Sequence, residues 1–269
     1  MLEASAGELE VSLDLGRSRH SVTVEEDGIA LPDGQRVDKG ELADSFSDPE
    51  DCVELRDGEP LKVYFYDSTL RCYYKLFQPF EDRPPTIVIN GATMHPVRGA
   101  GPWEGTEEMV RAVPSRGGEC LDTCCGLGYS AQMLADMQFA TVTTCEVDRN
   151  VLTVASLNPW SEGLFSAPNI RIHYADMRDY LAGCGDGRFS CVFHDPPTIY
   201  QAGELYSEEL YKEFRRVLAR GGVLYHYVGA PGGRWGRDYA HGVIQRLQSA
   251  GFARAKRVTG GVLAVRRDR

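Results

Sequence analysis

The chain has 269 residues, 42% of them hydrophobic, and a formal net charge of −10. That length supplies one large core or two unequal ones, and the acidic balance disfavours a phosphate-backbone partner, whose binding is dominated by cationic contacts. The charge is uneven: residues 1–90 carry 20 acidic against 9 basic side chains, whereas 91–269 carry 19 against 20, so the excess belongs to an N-terminal module.

Chain order begins with Met-Leu-Glu-Ala-Ser-Ala, which lacks the basic stretch and apolar run of a signal peptide. Up to residue 95 the pattern has period two. Val22–Glu26 leads through Asp27-Gly28 to Ile29–Leu31, and Asp33-Gly34 turns the chain again. Val53–Leu55 and Leu61–Tyr66 flank Asp57-Gly58 as a second hairpin, Leu70–Phe77 and Thr86–Ile89 read as further strands, and a short helix fits Gly40–Phe46. Residues 1–95 are therefore expected to form a small β-rich module. The second domain, 96–269, takes up an alternating rhythm from about residue 104. Helix Thr106–Val113 precedes strand Cys120–Cys124, helix Tyr129–Met137 precedes strand Thr141–Glu146, and helix Asn150–Leu157 stops at Asn158-Pro159. Strands Ile170–Tyr174 and Phe189–His194 follow. Helix Ser207–Leu218 is expected to stop at Gly221-Gly222 before strand Val223–Tyr227; helix Tyr239–Ser249 and strands near Ala253–Lys256 and Gly261–Val265 close the chain. Such alternation makes an α/β fold with a mostly parallel sheet covered on both faces.

No apolar run approaches the roughly 20 residues needed to cross a bilayer. Of the eight cysteines, Cys120, Cys124, Cys125, Cys145 and Cys191 sit in or beside predicted buried strands, where thiols act as small hydrophobes. Cys-x-x-Cys pairs at zinc spacing are lacking, so no metal is expected, and reduced thiols suggest a cytoplasmic protein. The stretch 225–269 is locally basic; it reads as the solvated face of the last helix and strand, and nucleic acid remains a disfavoured partner.

The densest signal is Leu121-Asp122-Thr123-Cys124-Cys125-Gly126-Leu127-Gly128-Tyr129-Ser130-Ala131, a strand running into a glycine turn and then a helix. Gly126, Gly128 and Ala131 also satisfy the dinucleotide fingerprint, so a nicotinamide-dependent dehydrogenase stays open, as does a non-catalytic module. Further strands end in acids at Glu146, Asp176 and Asp195, and in a parallel sheet those ends line one crevice. Asp122 lies within an apolar strand, and a buried carboxylate needs a hydrogen-bonding or cationic partner. Glu146 can accept two ribose hydroxyls or cap the following helix. Asp176 can accept an exocyclic amine or serve equally as an N-cap. In Asp195-Pro196-Pro197 the prolines alone would make a rigid turn, but they leave the acid without a role.

The run from Asp122 through Pro197 resembles the class I S-adenosylmethionine-dependent methyltransferases over about residues 104–269. The resemblance implies a Rossmann-like seven-stranded methyltransferase sheet, its last strand antiparallel, and S-adenosyl-L-methionine as cofactor. It maps the methionine part to Asp122, Gly126 and Gly128 with Tyr129, ribose to Glu146 with Val147, and adenine to Asp176 with Met177. Cys124 stands where that family usually has its first glycine. Met94-His95-Pro96-Val97-Arg98-Gly99, Asn158-Pro159-Trp160-Ser161 and the Asp195 segment are similar to an uncharacterised family of methyltransferases known mainly from archaeal genomes. Methyltransferases acting on amines hold the nitrogen between the acid and first-proline carbonyl of such a loop, which implies catalytic roles for Asp195 and Pro196. Here Thr198 replaces the usual aromatic, and Tyr200, two residues on, is the ring offered in its place.

The loop Gln201–Tyr211 and the β-rich first module also resemble spermidine-synthase-type aminopropyltransferases, whose glycine turn carries an acid absent from Cys125-Gly126-Leu127-Gly128. Aminopropyl transfer from decarboxylated S-adenosylmethionine is thus the alternative chemistry. His95, Arg98, Tyr200, Glu204 and Tyr206 are expected to contact a small amine substrate. His226, between Tyr225 and Tyr227 and facing away from both, reads as a core histidine, with one of the two faces left open to reach the substrate. Gly229–Arg237 is read as either a lid or a surface loop. A homodimer stays open.

Overall fold

A computed structural model describes residues 5–97, 99–114, 117–229 and 239–267. Two compact units emerge, one of residues 1–103 with 150–162, the other of 104–149 with 163–269. The sequence boundary at residue 95 does not anticipate that 150–162 joins the first unit. Polar contacts tie this segment in: the Trp160 indole N–H donates to the Leu15 carbonyl at 2.9 Å, and Arg17 reaches both the Pro159 carbonyl and Glu162.

In the first unit, strands Gly7–Val11, His20–Val24, Gly28–Ala30 and Arg36–Asp38 make an antiparallel sheet in that order. Val11, Val22, Ile29, Val37 and Leu42 form its core. The expected single strand over Leu61–Tyr66 is two strands. Glu59–Lys62 pairs with Val53–Arg56, while Tyr64–Asp67 pairs with Cys72–Phe77 in another sheet. Val63 is the switch, donating to the Cys52 carbonyl and accepting from Leu76. Asp57 and Gly58 both take positive φ, 55° and 84°, as a type I′ hairpin turn requires.

The second unit is built on seven strands: β1 (Glu119–Asp122), β2 (Thr141–Glu146), β3 (Ile170–Tyr174), β4 (Phe189–His194), β5 (Leu218–Tyr227), β6 (Arg254–Val258) and β7 (Gly261–Val265). Their spatial order is β3-β2-β1-β4-β5-β7-β6, with β1 to β5 paired in parallel and β7 antiparallel to both its neighbours, β5 and β6. Beginning at β1 the order reverses direction, and such a switch point opens a crevice at the carboxyl ends of the strands. Helix Glu208–Val217 shows why the covering helices form. Ser207 caps it by accepting from Leu210 N–H, acids occupy its first turn and arginines its last, and Leu210, Tyr211, Phe214 and Val217 make one buried stripe. Each of these buried side chains contributes about 2–3 kcal/mol of transfer free energy. Gly221-Gly222 does not stop that helix. It lies within β5 as a bulge, where Gly221 has φ +75° and a Cβ on Gly222 would stand 2.9 Å from the Ala219 carbonyl oxygen.

Candidate active site

Strand β1 delivers Asp122 to the switch point completely buried. Asp122 pairs in register with Thr144 on β2, whose hydroxyl donates to Oδ2 at 2.8 Å, and Ser130 donates to the same oxygen at 3.2 Å. The other oxygen, Oδ1, is buried with no hydrogen-bond partner among the described residues. Burial raises its pKa to about 7 against the pull of the two hydroxyls, and the charges of Asp195 and Glu146 push the same way. Those couplings put Glu146 and Asp195 each within electrostatic reach of Asp122.

The turn that follows separates two kinds of glycine. Gly126 has φ +53°, and a Cβ built on it would meet nothing within 4 Å; Gly128 has φ +75°, and its Cβ would stand 2.5 Å from the side chain of Leu164. The first leaves an open approach to backbone, and the second is fixed by packing. Tyr129 begins the next helix fully buried. Cys125 donates its N–H to the Cys145 carbonyl, tying the turn to β2, and burial pushes the thiols of Cys124 and Cys125 well up, so neither is an activated nucleophile.

Glu146, ending β2, accepts from the N–H groups of Gly126, Val147 and Asp148, each at 3.0 Å. Its acidity is weakened mainly by burial. About one of its four lone-pair directions remains unused. Val147 beside it is 64% exposed, an apolar side chain left at the crevice. Asp176 is the N-cap of helix Met177–Ala182, and the Arg178 guanidinium forks onto its carboxylate, holding it below the usual carboxylate range. Met177 is buried behind it.

Strand β4 ends at His194, and Asp195 and Pro196 follow it directly. Among the described residues neither the Asp195 carboxylate nor the Pro196 carbonyl has a hydrogen-bond partner. Burial raises Asp195 to about 7, and its charge reaches the phenols of Tyr206, Tyr225 and Tyr227. Thr144 and Ser130 are partners of Asp122 that sequence reasoning missed, whereas Tyr225 and Tyr227 form a face that it leaves open. Register carried the signal: Thr144 stands at the depth of Asp122, and Tyr225 pairs with Phe193. Tyr200 is exposed and shares a 2.6 Å hydrogen bond with the Tyr239 hydroxyl, while Glu204 is exposed on a short helical turn. His226 faces the interior, bonded to the Tyr211 hydroxyl at 2.9 Å.

Of the remaining expected contacts, His95 belongs to the first unit, where its Nδ1 shares a 2.8 Å hydrogen bond with the Thr86 hydroxyl. Arg98 and residues 230–238 lie outside the described residues. No helix among the described residues is long and apolar enough to cross a membrane, and no cluster there is spaced to hold a metal ion.

An unmet, buried carboxylate oxygen beside an open glycine fits a ligand that brings a cationic group, and S-adenosylmethionine brings an ammonium and a sulfonium. Residues 120–222 match a family described as a methyltransferase domain. Over those residues the chain carries a methyltransferase domain. The chain is 40% identical over 274 residues to "Uncharacterized protein MJ1233" of Methanocaldococcus jannaschii, spanning 99% of its own length and 92% of the relative. A polyamine aminopropyltransferase of Nitrosomonas europaea is 28% identical over 108 residues, 39% of this chain and 33% of that protein. Spermidine synthase in complex with the transition-state analogue AdoDATO shares the fold, with a TM-score of 0.60 and 16% identity over 81% of this chain and 80% of that one. The dehydrogenase alternative is set aside by the family match.

Proposed function

We propose that the enzyme methylates the nitrogen of a small amine, with Asp195 and the Pro196 carbonyl as the groups that orient it. The observation that carries this reading is the pair of unpartnered acceptors at the end of β4, a recessed carboxylate followed at once by a proline carbonyl. A neutral amine presents N–H bonds and one lone pair; two acceptors holding those bonds leave the lone pair aimed away from them. S-adenosylmethionine, when bound, supplies a methyl group already activated on a sulfonium. The protein's own contribution is to hold and orient the unprotonated amine. Asp122 and the open backbone at Gly126, with Tyr129 behind the turn, suit the cationic methionine end. Glu146 with Val147 suits ribose, and Asp176 with Met177 suits the adenine edge. Tyr200, Glu204 and Tyr206 border the loop that would receive the acceptor, and Glu204 adds negative charge attractive to an ammonium.

Aminopropyl transfer is the second reading, favoured by the spermidine synthase fold across most of the chain. Against it, Cys125-Gly126-Leu127-Gly128 carries no acid to hold an aminopropyl amine. Incubating a metabolite extract with labelled S-adenosylmethionine, and separately with its decarboxylated form, distinguishes the two. Product heavier by one methylene from the first supports amine methylation; an aminopropyl adduct from the second replaces it with the alternative. Label found only in RNA or protein refutes the small-amine reading. With the acceptor in hand, Asp195→Ala should lower kcat by about 100-fold, and cofactor affinity should change less than threefold.

A further inference from the structure

His194 is the residue immediately before Asp195, and it is completely buried. Its two ring nitrogens are committed in opposite directions. Nε2 lies 2.9 Å from the carbonyl oxygen of Leu205, eleven residues further along the chain. Nδ1 lies 2.6 Å from the hydroxyl of Thr123, the residue that follows β1 and leads into the glycine turn. A carbonyl has no proton to give, so the ring hydrogen must be on Nε2. The lone pair on Nδ1 then takes the Thr123 hydroxyl hydrogen. One tautomer satisfies both bonds. Burial also keeps the ring neutral, its pKa lowered to about 4.

The segment between these contacts is the acceptor loop. Its chain folds back through hydrogen bonds from the N–H groups of Gln201 and Ala202 to the Thr198 carbonyl, and from Leu205 N–H to the Ala202 carbonyl. The Tyr206 hydroxyl donates to the Pro197 carbonyl at 3.1 Å. His194 therefore closes the base of a loop that Tyr206 closes from within, and Thr123 fixes the ring that does so. Phe214 packs edge-on against the imidazole at 4.9 Å, and the ring of His226 stands 4.6 Å away. The mechanism proposed above uses none of these three groups.

We propose that His194 is a positioning residue: oriented by Thr123 on the cofactor side, it clasps the loop from Asp195 to Tyr206 in the geometry that presents Asp195 and Pro196 to the acceptor. The purpose of the clasp rests on the acceptor reading, but the clasp itself is testable without acceptor or turnover. A glutamine amide nitrogen reaches roughly where Nε2 stands, whereas an asparagine amide reaches only to Nδ1. Hydrogen–deuterium exchange of the full-length protein should therefore show the amides of Gln201, Ala202 and Leu205 exchanging about tenfold faster in His194→Asn. His194→Gln should restore most of that protection, and β1 should stay protected in both variants. Loop exchange unchanged in His194→Asn, or raised equally in the glutamine variant, overturns the clasp. Should the asparagine variant fail to fold, nitrogen NMR of the wild-type imidazole decides. A single Nε2–H tautomer with a slowly exchanging ring proton near neutral pH is expected; an Nδ1–H ring, a tautomer mixture or a charged ring contradicts the proposal.

Discussion

Each unit buries one aspartate almost completely, and the two could hardly be treated more differently. In the first unit, Asp51 has a side chain 1% exposed. Lys62 approaches it at 2.7 Å, Lys75 makes a second ion pair, and the N–H groups of Ser47 and Asp48 donate to it. Burial alone would raise its pKa, but these partners together hold it well below the usual carboxylate range. In the second unit, Asp122 has only two hydroxyls among the described residues, and one oxygen faces no donor there. One carboxylate has an ammonium against each of its oxygens within the fold. The other is left with a charge that the protein itself does not neutralise, and a ligand can complete it.

The largest expected effect is at the ion-paired site. Asp51→Ala removes two ion pairs and strands two partly buried ammonium groups. It should destabilise the protein by about 3–4 kcal/mol in urea unfolding, with cofactor affinity unchanged within twofold. A loss below about 1 kcal/mol would mean that the lysines find water easily, and the contrast with Asp122 would weaken.

The pH dependence should carry opposite signs in the two regions. Asp51 has a depressed folded-state pKa, so its stabilisation is present above the unfolded value near 3.8 and is lost as the solution becomes more acid. Asp122 and Asp195 have raised values of about 7 against 3.8 unfolded. The folded state binds more protons than the unfolded one across that window, so the cofactor-free enzyme should lose stability as pH rises from about 4 to 7. Asp122→Asn should remove roughly half of that slope and stabilise the free enzyme by about 2 kcal/mol at pH 8. Unfolding curves at several pH values check this, and an unchanged slope would show that Asp122 ionises without penalty.

A third acid sharpens the contrast from its other side. Asp176 is partnered by its own helix and by Arg178, so Asp176→Ala should cost about 1 kcal/mol of stability as a lost N-cap. Titration calorimetry should also show S-adenosylmethionine binding only a fewfold weaker. Tenfold or greater loss would make Asp176 the equal of Asp122 in the site.

Much of this was legible in the sequence because it is local. The strand, glycine turn and helix around Asp122 announce themselves by periodicity, and acids at successive strand ends mark one edge of a parallel sheet. Asp57-Gly58 gave its hairpin turn through backbone conformation alone. What was not legible depends on distant partners. Nothing near Trp160 says that its indole will donate to Leu15, so the membership of 150–162 in the first unit stayed hidden. The alternation of Leu9, Val11 and Leu13 was present in the sequence, yet the strand Gly7–Val11 needed His20–Val24 to give it meaning. Gly128 and Gly126 look alike in a motif, and only the position of Leu164 separates a packing glycine from an open one. The N-cap and adenine readings of Asp176 were equal from sequence; the structure shows the cap and the arginine that accompanies it.

The central claim is that Asp122 meets its missing partner when S-adenosylmethionine binds. Calorimetric binding at pH 6.5, repeated in buffers of different ionisation enthalpy, measures the protons exchanged. The account predicts release of about half a proton or more per cofactor bound by the wild type, none of it remaining in Asp122→Asn, and affinity lower in the variant by about 10- to 100-fold. Equal affinity and equal proton release in the two proteins would contradict it.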